Sequence, residues 1–173
     1  MRRSYFISLA LMSLATQAAA HDGGFGHSRR TLYVTTNPAG YILEYRITQT
    51  ADVALVEMTL IDADGDGQIS DAEKNRYFTN AARDLAEKLR CTTIRNQRVQ
   101  IEPVGFELHQ ALGQVFRFRI PTKETELLLA DQAFPHKPGV VRVITGPRVK
   151  AEIHGKVDLN HAERVVLQLS RTD

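Results

Sequence analysis

Hydrophobic and polar positions change period twice along this chain. Between residues 31 and 47 they alternate: Leu32 and Val34 in TLYVTT, then Tyr41, Leu43, Tyr45 and Ile47 in YILEYRI, with NPAG at 37–40 between the runs. Alternation puts one side of a strand in the core, and a proline-glycine turn of this length joins two strands into a hairpin. From residue 51 the period lengthens. In ADVALVEMTLI, Val53, Val56 and Leu60 recur at helical spacing, with Thr50 in position to cap. A second helix is predicted over about 71–90, opened by Ser70 with Glu73 three residues later and carrying a stripe of Phe78, Ala81, Leu85 and Leu89. Beyond residue 90 the period returns to two. CTTI and RVQIEP flank a short RNQ turn, and VGFELHQ, QVFRFRIP, GVVRVITG, RVKAEIHG and ERVVLQLS all suit strands. The pattern predicts an α+β fold: an antiparallel β-sandwich-like body with an inserted helix–loop–helix, in one domain over 31–173.

The N-terminus follows other rules. MRRSYFISLALMSLATQAAA places Arg2 and Arg3 before an apolar run from Tyr5 to Ala15, then Ala18, Ala19 and Ala20. A charged start, a short apolar centre and small residues at a cleavage point read as a secretory signal peptide over 1–20, directing the protein to the periplasm or the exterior. The run is well short of the roughly 20 residues that span a bilayer, and no later run is longer, so no membrane span is expected after cleavage. Residues 21–30, HDGGFGHSRR, read as a flexible lead-in. Charge changes the picture further. The chain has 22 Lys and Arg against 20 Asp and Glu, and losing Arg2 and Arg3 leaves a formally neutral mature protein. Nothing in that balance calls for nucleic acid as a partner. Cys91 is the sole cysteine, which rules out an intramolecular disulfide and reads as a small buried hydrophobe.

Between the two helices lies IDADGDGQISDAE, residues 61–73, with five acidic side chains in thirteen positions. Counting Asp62 as the first of twelve, Asp64 and Asp66 fall at positions 3 and 5, Gly67 at 6, Gln68 at 7, Ser70 at 9 and Glu73 at 12. Calcium takes about 6–8 oxygens at 2.3–2.6 Å, and only a loop that wraps the ion can aim so many from neighbouring residues. The glycine at position 6 allows a sharp turn that presents the Gln68 carbonyl. Ser70 acts through a water, and Glu73 reaches from the second helix with both carboxylate oxygens. This segment resembles the calcium loop of EF-hand proteins, and the resemblance implies Ca2+ held by Asp62, Asp64, Asp66, Gln68, Ser70 and Glu73. Magnesium, with its smaller shell, fits a bidentate glutamate poorly. EF-hands usually pair through position 8, and VDLNHAE at 157–163 has too few oxygens and no glycine for a second loop. Ile69 at that position is therefore expected to pack against the strand body.

If the signal peptide ends at Ala20, the mature chain begins at His21, with His27 six residues on. A free amine beside imidazoles can hold copper or nickel, which gives a second reading: a periplasmic accessory for transition-metal handling. The order of parts, with DQAFPHKPGVVRVITG at 131–146, resembles the extracytoplasmic domain associated with some bacterial nickel/cobalt exporters. HDGG stands here where those domains begin with histidine-proline-leucine-glycine. The resemblance implies an exported calcium-binding domain. No GxSxG, HExxH, CxxC or phosphate-binding glycine loop is present, so the expectation is a non-enzymatic protein. Only a site assembled from residues distant in sequence would make it an enzyme.

Overall fold

A computed structural model describes residues 28–109, 113–133, 139–154 and 165–172. The expected signal peptide, the lead-in up to residue 27, His21, His27 and the segment 157–163 lie outside the described residues. Strand β1 (Ser28–Asn37) and strand β2 (Gly40–Thr48) form the expected hairpin, with Leu32, Val34, Tyr41, Leu43, Tyr45 and Ile47 all buried. Helices α1 (Ala51–Ile61) and α2 (Asp71–Lys88) follow. The remaining strands are β3 (Leu89–Thr93), β4 (Arg98–Val99), β5 (Glu102–His109), β6 (Gly113–Pro121), β7 (Glu126–Asp131), β8 (Gly139–Thr145), β9 (Val149–His154) and β10 (Val165–Arg171). They make two five-stranded sheets, ordered β5-β6-β2-β1-β8 and β4-β3-β7-β10-β9. One buried cluster joins them. Leu43, Phe116, Phe118 and Ile120 come from the first sheet, and Cys91, Leu127, Leu129, Leu167 and Leu169 from the second.

Three features depart from the sequence-based expectation. The body is not wholly antiparallel, because β8 lies parallel to β1, pairing Arg30 with Val141 and Leu32 with Val143. That contact joins segments about a hundred residues apart, a distance at which turn chemistry carries no information. It also claims residues 28–30 for β1, where the glycine-rich composition suggested a lead-in reaching residue 30. The third is β7, which the alternation did not reveal. ELLLAD carries three consecutive leucines, yet it is a central strand between β3 and β10, with Leu127 and Leu129 fully buried and Leu128 half-buried. A strand covered on both sides reads as a continuous apolar run.

Gly40 shows why the β1–β2 turn needs its glycine. Its φ is +148°, and a Cβ there would stand 2.2 Å from the Ile120 carbonyl oxygen on β6. The Ala39 amide donates to Asn37 Oδ1 at 2.9 Å, closing the turn through a side chain. At the other end of the body, the sheets are tied by charge. Arg30 and Asp131 are buried, with Nη1 to Oδ2 at 3.3 Å, and the Tyr45 hydroxyl donates to the same oxygen at 2.8 Å. Burial and the Asp131 carboxylate push the Tyr45 phenol well above its ordinary range.

Helix α2 packs close to its expected stripe: Phe78 and Leu85 are buried, but Ala82 takes the buried place expected of Ala81, which is half-buried, and the Phe78 ring stacks on Phe106 of β5 with centroids 5.2 Å apart. Leu89, expected on the same stripe, is the first residue of β3. Helix α1 does not pack as expected. Val56 and Leu60 are each 62% exposed and Leu55 65%, while the buried residues are Ala54 and Ile61. Being apolar on nearly every side, this helix gives periodicity no phase to read.

Candidate metal site

The loop from Asp62 to Ser70 is held at both ends by helix chemistry. Helix α1 stops at Ile61, and the Asp62 amide still donates to the Met58 carbonyl at 3.0 Å. Thr50 sits at the N-cap of α1 in extended conformation, but its hydroxyl makes no cap bond to the backbone. Instead it holds the Asp52 carboxyl below the usual carboxylate range. Helix α2 opens with the predicted capping box: Ser70 Oγ accepts from the Glu73 amide at 3.2 Å, and Glu73 Oε2 accepts from the Ser70 amide at 2.9 Å.

Within the loop, one carboxylate oxygen from each of Asp62, Asp64 and Asp66 lies within 4.8 Å of the others. Backbone amides fix this arrangement. Asp62 accepts from Gly65 through Oδ1 and from Gly67 through Oδ2, both at 2.9 Å. Asp64 Oδ1 accepts from the Asp66 amide at 3.2 Å, and Asp66 Oδ1 from the Gln68 amide at 2.7 Å. Gly65 and Gly67 take φ of +72° and +82°, and nothing lies within 4 Å of a Cβ built on either, so glycine is needed there for backbone conformation, not for space. These bonds need two left-handed residues in three, which explains both glycines of DADGDG.

Glu73, the expected closing ligand, is engaged elsewhere. Its Oε1 accepts from the Ala63 amide at 2.8 Å and the Asp64 amide at 3.4 Å, and its Oε2 also accepts from the Ser70 hydroxyl at 2.7 Å. Those bonds, led by the Ser70 amide and hydroxyl, pull its carboxyl down to about 2. The structure thus gathers Asp62, Asp64 and Asp66 into one cluster and ties Glu73 to the loop's backbone. Gln68 and Ser70 are exposed beside them. Ile69 is half-buried and packs against the main core, as its position in the loop predicts. Among the described residues, no ion pair reaches Asp62, Asp64, Asp66 or Glu73, and the nearby Lys74 ammonium is bonded to Asp71 at 2.8 Å. Three oxygens brought this close without a counter-charge are a donor set that fits a hard divalent cation.

A second group of residues joins this segment to the body, and the sequence did not reveal it. Glu57 on α1 accepts from the Tyr77 hydroxyl of α2 at 3.0 Å and from the Gln114 amide of β6. Burial, with the Glu57 carboxylate beside it, raises the Tyr77 phenol above its ordinary range. An acid on the half-buried side of an otherwise apolar helix was the available signal. Of the remaining histidines, His154 is exposed and 3.7 Å from the Glu152 carboxylate. Cys91 is buried as expected, and burial pushes its thiol up to about 12, leaving it inert as a nucleophile at neutral pH.

The fold and site together describe an α+β protein of two mostly antiparallel sheets with a helix–loop–helix insertion carrying an acidic cluster. No family model, no curated protein and no solved structure matches the chain. Among the described residues, no helix is long and apolar enough to cross a membrane.

Proposed function

We propose that this is an exported, non-enzymatic calcium-binding protein in which residues 51–88 act as a single EF-hand. The observation that carries the reading is the Asp62, Asp64 and Asp66 cluster, set within 4.8 Å by two glycines of positive φ. Asp62, Asp64 and Asp66 supply carboxylate oxygens, Gln68 its carbonyl, Ser70 a water-mediated contact and Glu73 the closing carboxylate. To close the shell, Glu73 exchanges hydrogen bonds from Ala63, Asp64 and Ser70 for the ion. That exchange offsets part of the electrostatic gain and lowers affinity. Export is supported by the MRRSYFISLALMSLATQAAA pattern.

The role that best suits this geometry is a structural clip. Helix α1 buries only Ala54 and Ile61 and depends on Glu57 for its polar ties to α2 and β6. An ion bound to Asp62 and Glu73 links the end of α1 directly to the start of α2. Calorimetric titration of calcium into metal-free protein tests this, with thermal melts before and after. Saturable uptake with a rise in melting temperature is expected. No uptake at millimolar calcium overturns the reading, since exported modules of this kind bind at about 10⁻⁴–10⁻³ M.

A further inference from the structure

Where the β1–β2 turn, the β8–β9 turn and the end of β10 meet, Thr36, Asn37, Pro38, Arg148, Arg171 and Thr172 line a cavity of about 270 Å³. Among the described residues, its lining carries two guanidinium groups and no carboxylate. The Arg171 guanidinium lies over the Tyr41 ring, 5.2 Å from its centroid, and the Tyr41 hydroxyl is already committed to the Thr125 carbonyl at 2.7 Å. Stacking of this kind holds the planar fork in one orientation. The Arg171 guanidinium also acts on the Tyr41 hydroxyl, but its Nε and Nη2 are buried with no hydrogen-bond partner among the described residues. Buried charged donors without an acceptor are costly, and each such case needs an explanation.

The surroundings are fixed and rich in donors. The Arg171 amide donates to the Thr125 carbonyl at 2.8 Å and the Thr172 amide to the Arg148 carbonyl at 3.1 Å, pinning the end of β10 against both neighbours. Asn37 uses Oδ1 to close its own turn, which leaves its NH2 group as the donor end. Arg148 is exposed and has no ion pair among the described residues. The contrast with the β5-β6-β2 face is plain, since Arg46, Arg117 and Arg119 there are each paired with a glutamate. The Glu126 carboxylate acts on Tyr41 but does not line the cavity.

We propose that this cavity binds a phosphate group, with the half-buried Arg171 as its anchor and Arg148 as a second, exposed arm. Two guanidinium charges, with no carboxylate among the described lining residues, match a dianion, and a phosphate group carries about −1.5 to −2 near neutral pH. A cavity below the usual 300–1,000 Å³ of drug-sized pockets suits a ligand little larger than that group. The site is independent of the calcium reading and uses none of its residues.

The test is a ¹H–¹⁵N spectrum of the calcium-free protein, following the Arg171 Nε–H and the Thr36, Asn37 and Thr172 amides. Inorganic phosphate is titrated at constant ionic strength, with chloride as the control anion. Saturable shifts confined to these signals are expected with phosphate and not with chloride. Arg148→Gln should weaken binding by about tenfold or more, as loss of a charge-assisted contact implies, and leave the melting temperature unchanged. Arg171→Gln should abolish binding; because it also removes the Tyr41 stack, the exposed Arg148 variant is the one that decides. A parallel titration with glycerol phosphate separates the sources. Tighter binding of the ester assigns the site to a phosphomonoester, and tighter binding of inorganic phosphate to the free ion. Shifts that do not saturate, that chloride reproduces, or that survive Arg148→Gln with unchanged affinity overturn the proposal.

Discussion

Two groups of carboxylates in this molecule are held in opposite ways. Asp131 is buried in the body, where Oδ2 meets Arg30 and the Tyr45 hydroxyl and Oδ1 accepts from the Ala133 amide at 2.9 Å. Its counter-charge comes from the same chain, 101 residues away. Asp62, Asp64, Asp66 and Glu73 are held by neutral amides and one hydroxyl, within a stretch of twelve residues, and no cation among the described residues pairs with them. The body neutralises its charge internally, whereas the loop organises its oxygens with no counter-charge among the described residues, the feature on which the proposed calcium site rests. A fold can therefore have finished electrostatics in one part and an open valence in another.

The comparison breaks most forcefully at Asp131. Asp131→Ala removes the carboxylate from Arg30 and Tyr45 together and should cost about 3–5 kcal/mol in urea denaturation, the usual consequence of taking one partner from a buried ion pair. Tyr45→Phe keeps the pair and should cost less, about 1.5–3 kcal/mol for one hydrogen bond to a charged acceptor. A loss under about 1 kcal/mol for Asp131→Ala would show that the body does not depend on this internal neutralisation.

Glu73 sharpens the other side. Glu73→Gln should weaken calcium binding by about tenfold or more in the same calorimetric titration, because the closing ligand loses its charge. Unchanged affinity would remove Glu73 from the ligand set. The metal-free protein offers a second readout through pH. With its folded carboxyl pulled from 4.5 to about 2, Glu73 contributes stability that is fully present above pH 4.5 and lost as pH falls towards 2. Melting temperatures of wild type and Glu73→Gln should converge over that window, and a difference constant down to pH 2 would contradict it.

A smaller effect is expected at Gly67. A Cβ there meets nothing, so Gly67→Ala pays only for a φ of +82°, about 1–2 kcal/mol. Since Asp62 Oδ2 is fixed by the Gly67 amide, the variant should lose calcium affinity along with stability. Stability lost with affinity intact would mean that this turn does not shape the site.

Local signals made much of this molecule legible in its sequence. The alternation in β1 and β2, the capping box of Ser70 and Glu73, the RNQ turn with Asn96 at φ +61° and the spacing of the three aspartates all depend on neighbours within a few residues. What stayed hidden depends on distant partners. Arg30 reads as the polar end of a lead-in until β8 and Asp131 arrive beside it. ELLLAD reads as neither strand nor helix until both of its faces are covered. Glu73 was legible as the partner of Ser70 in the capping box, but its bonds to Ala63 and Asp64 arise from loop curvature that spacing alone does not give.

Helix α1 carries the smallest expected effect and the clearest test of how the insertion is held. Its apolar residues suggested a stripe through Val53, Val56 and Leu60, yet Val56 and Leu60 face solvent and the helix rests on Ala54, Ile61 and the Glu57 bonds. Side chains already exposed in the folded state lose little when made polar. Leu55→Ser and Leu60→Ser should each change stability by no more than about 0.5 kcal/mol in urea denaturation, with or without calcium. A loss above about 1 kcal/mol would mean that this face is covered in solution, and the helix would then be held by packing as the body is. A small change leaves α1 anchored by one glutamate and two buried apolar residues, so the calcium proposed at Asp62 would be the contact that decides how firmly it is held.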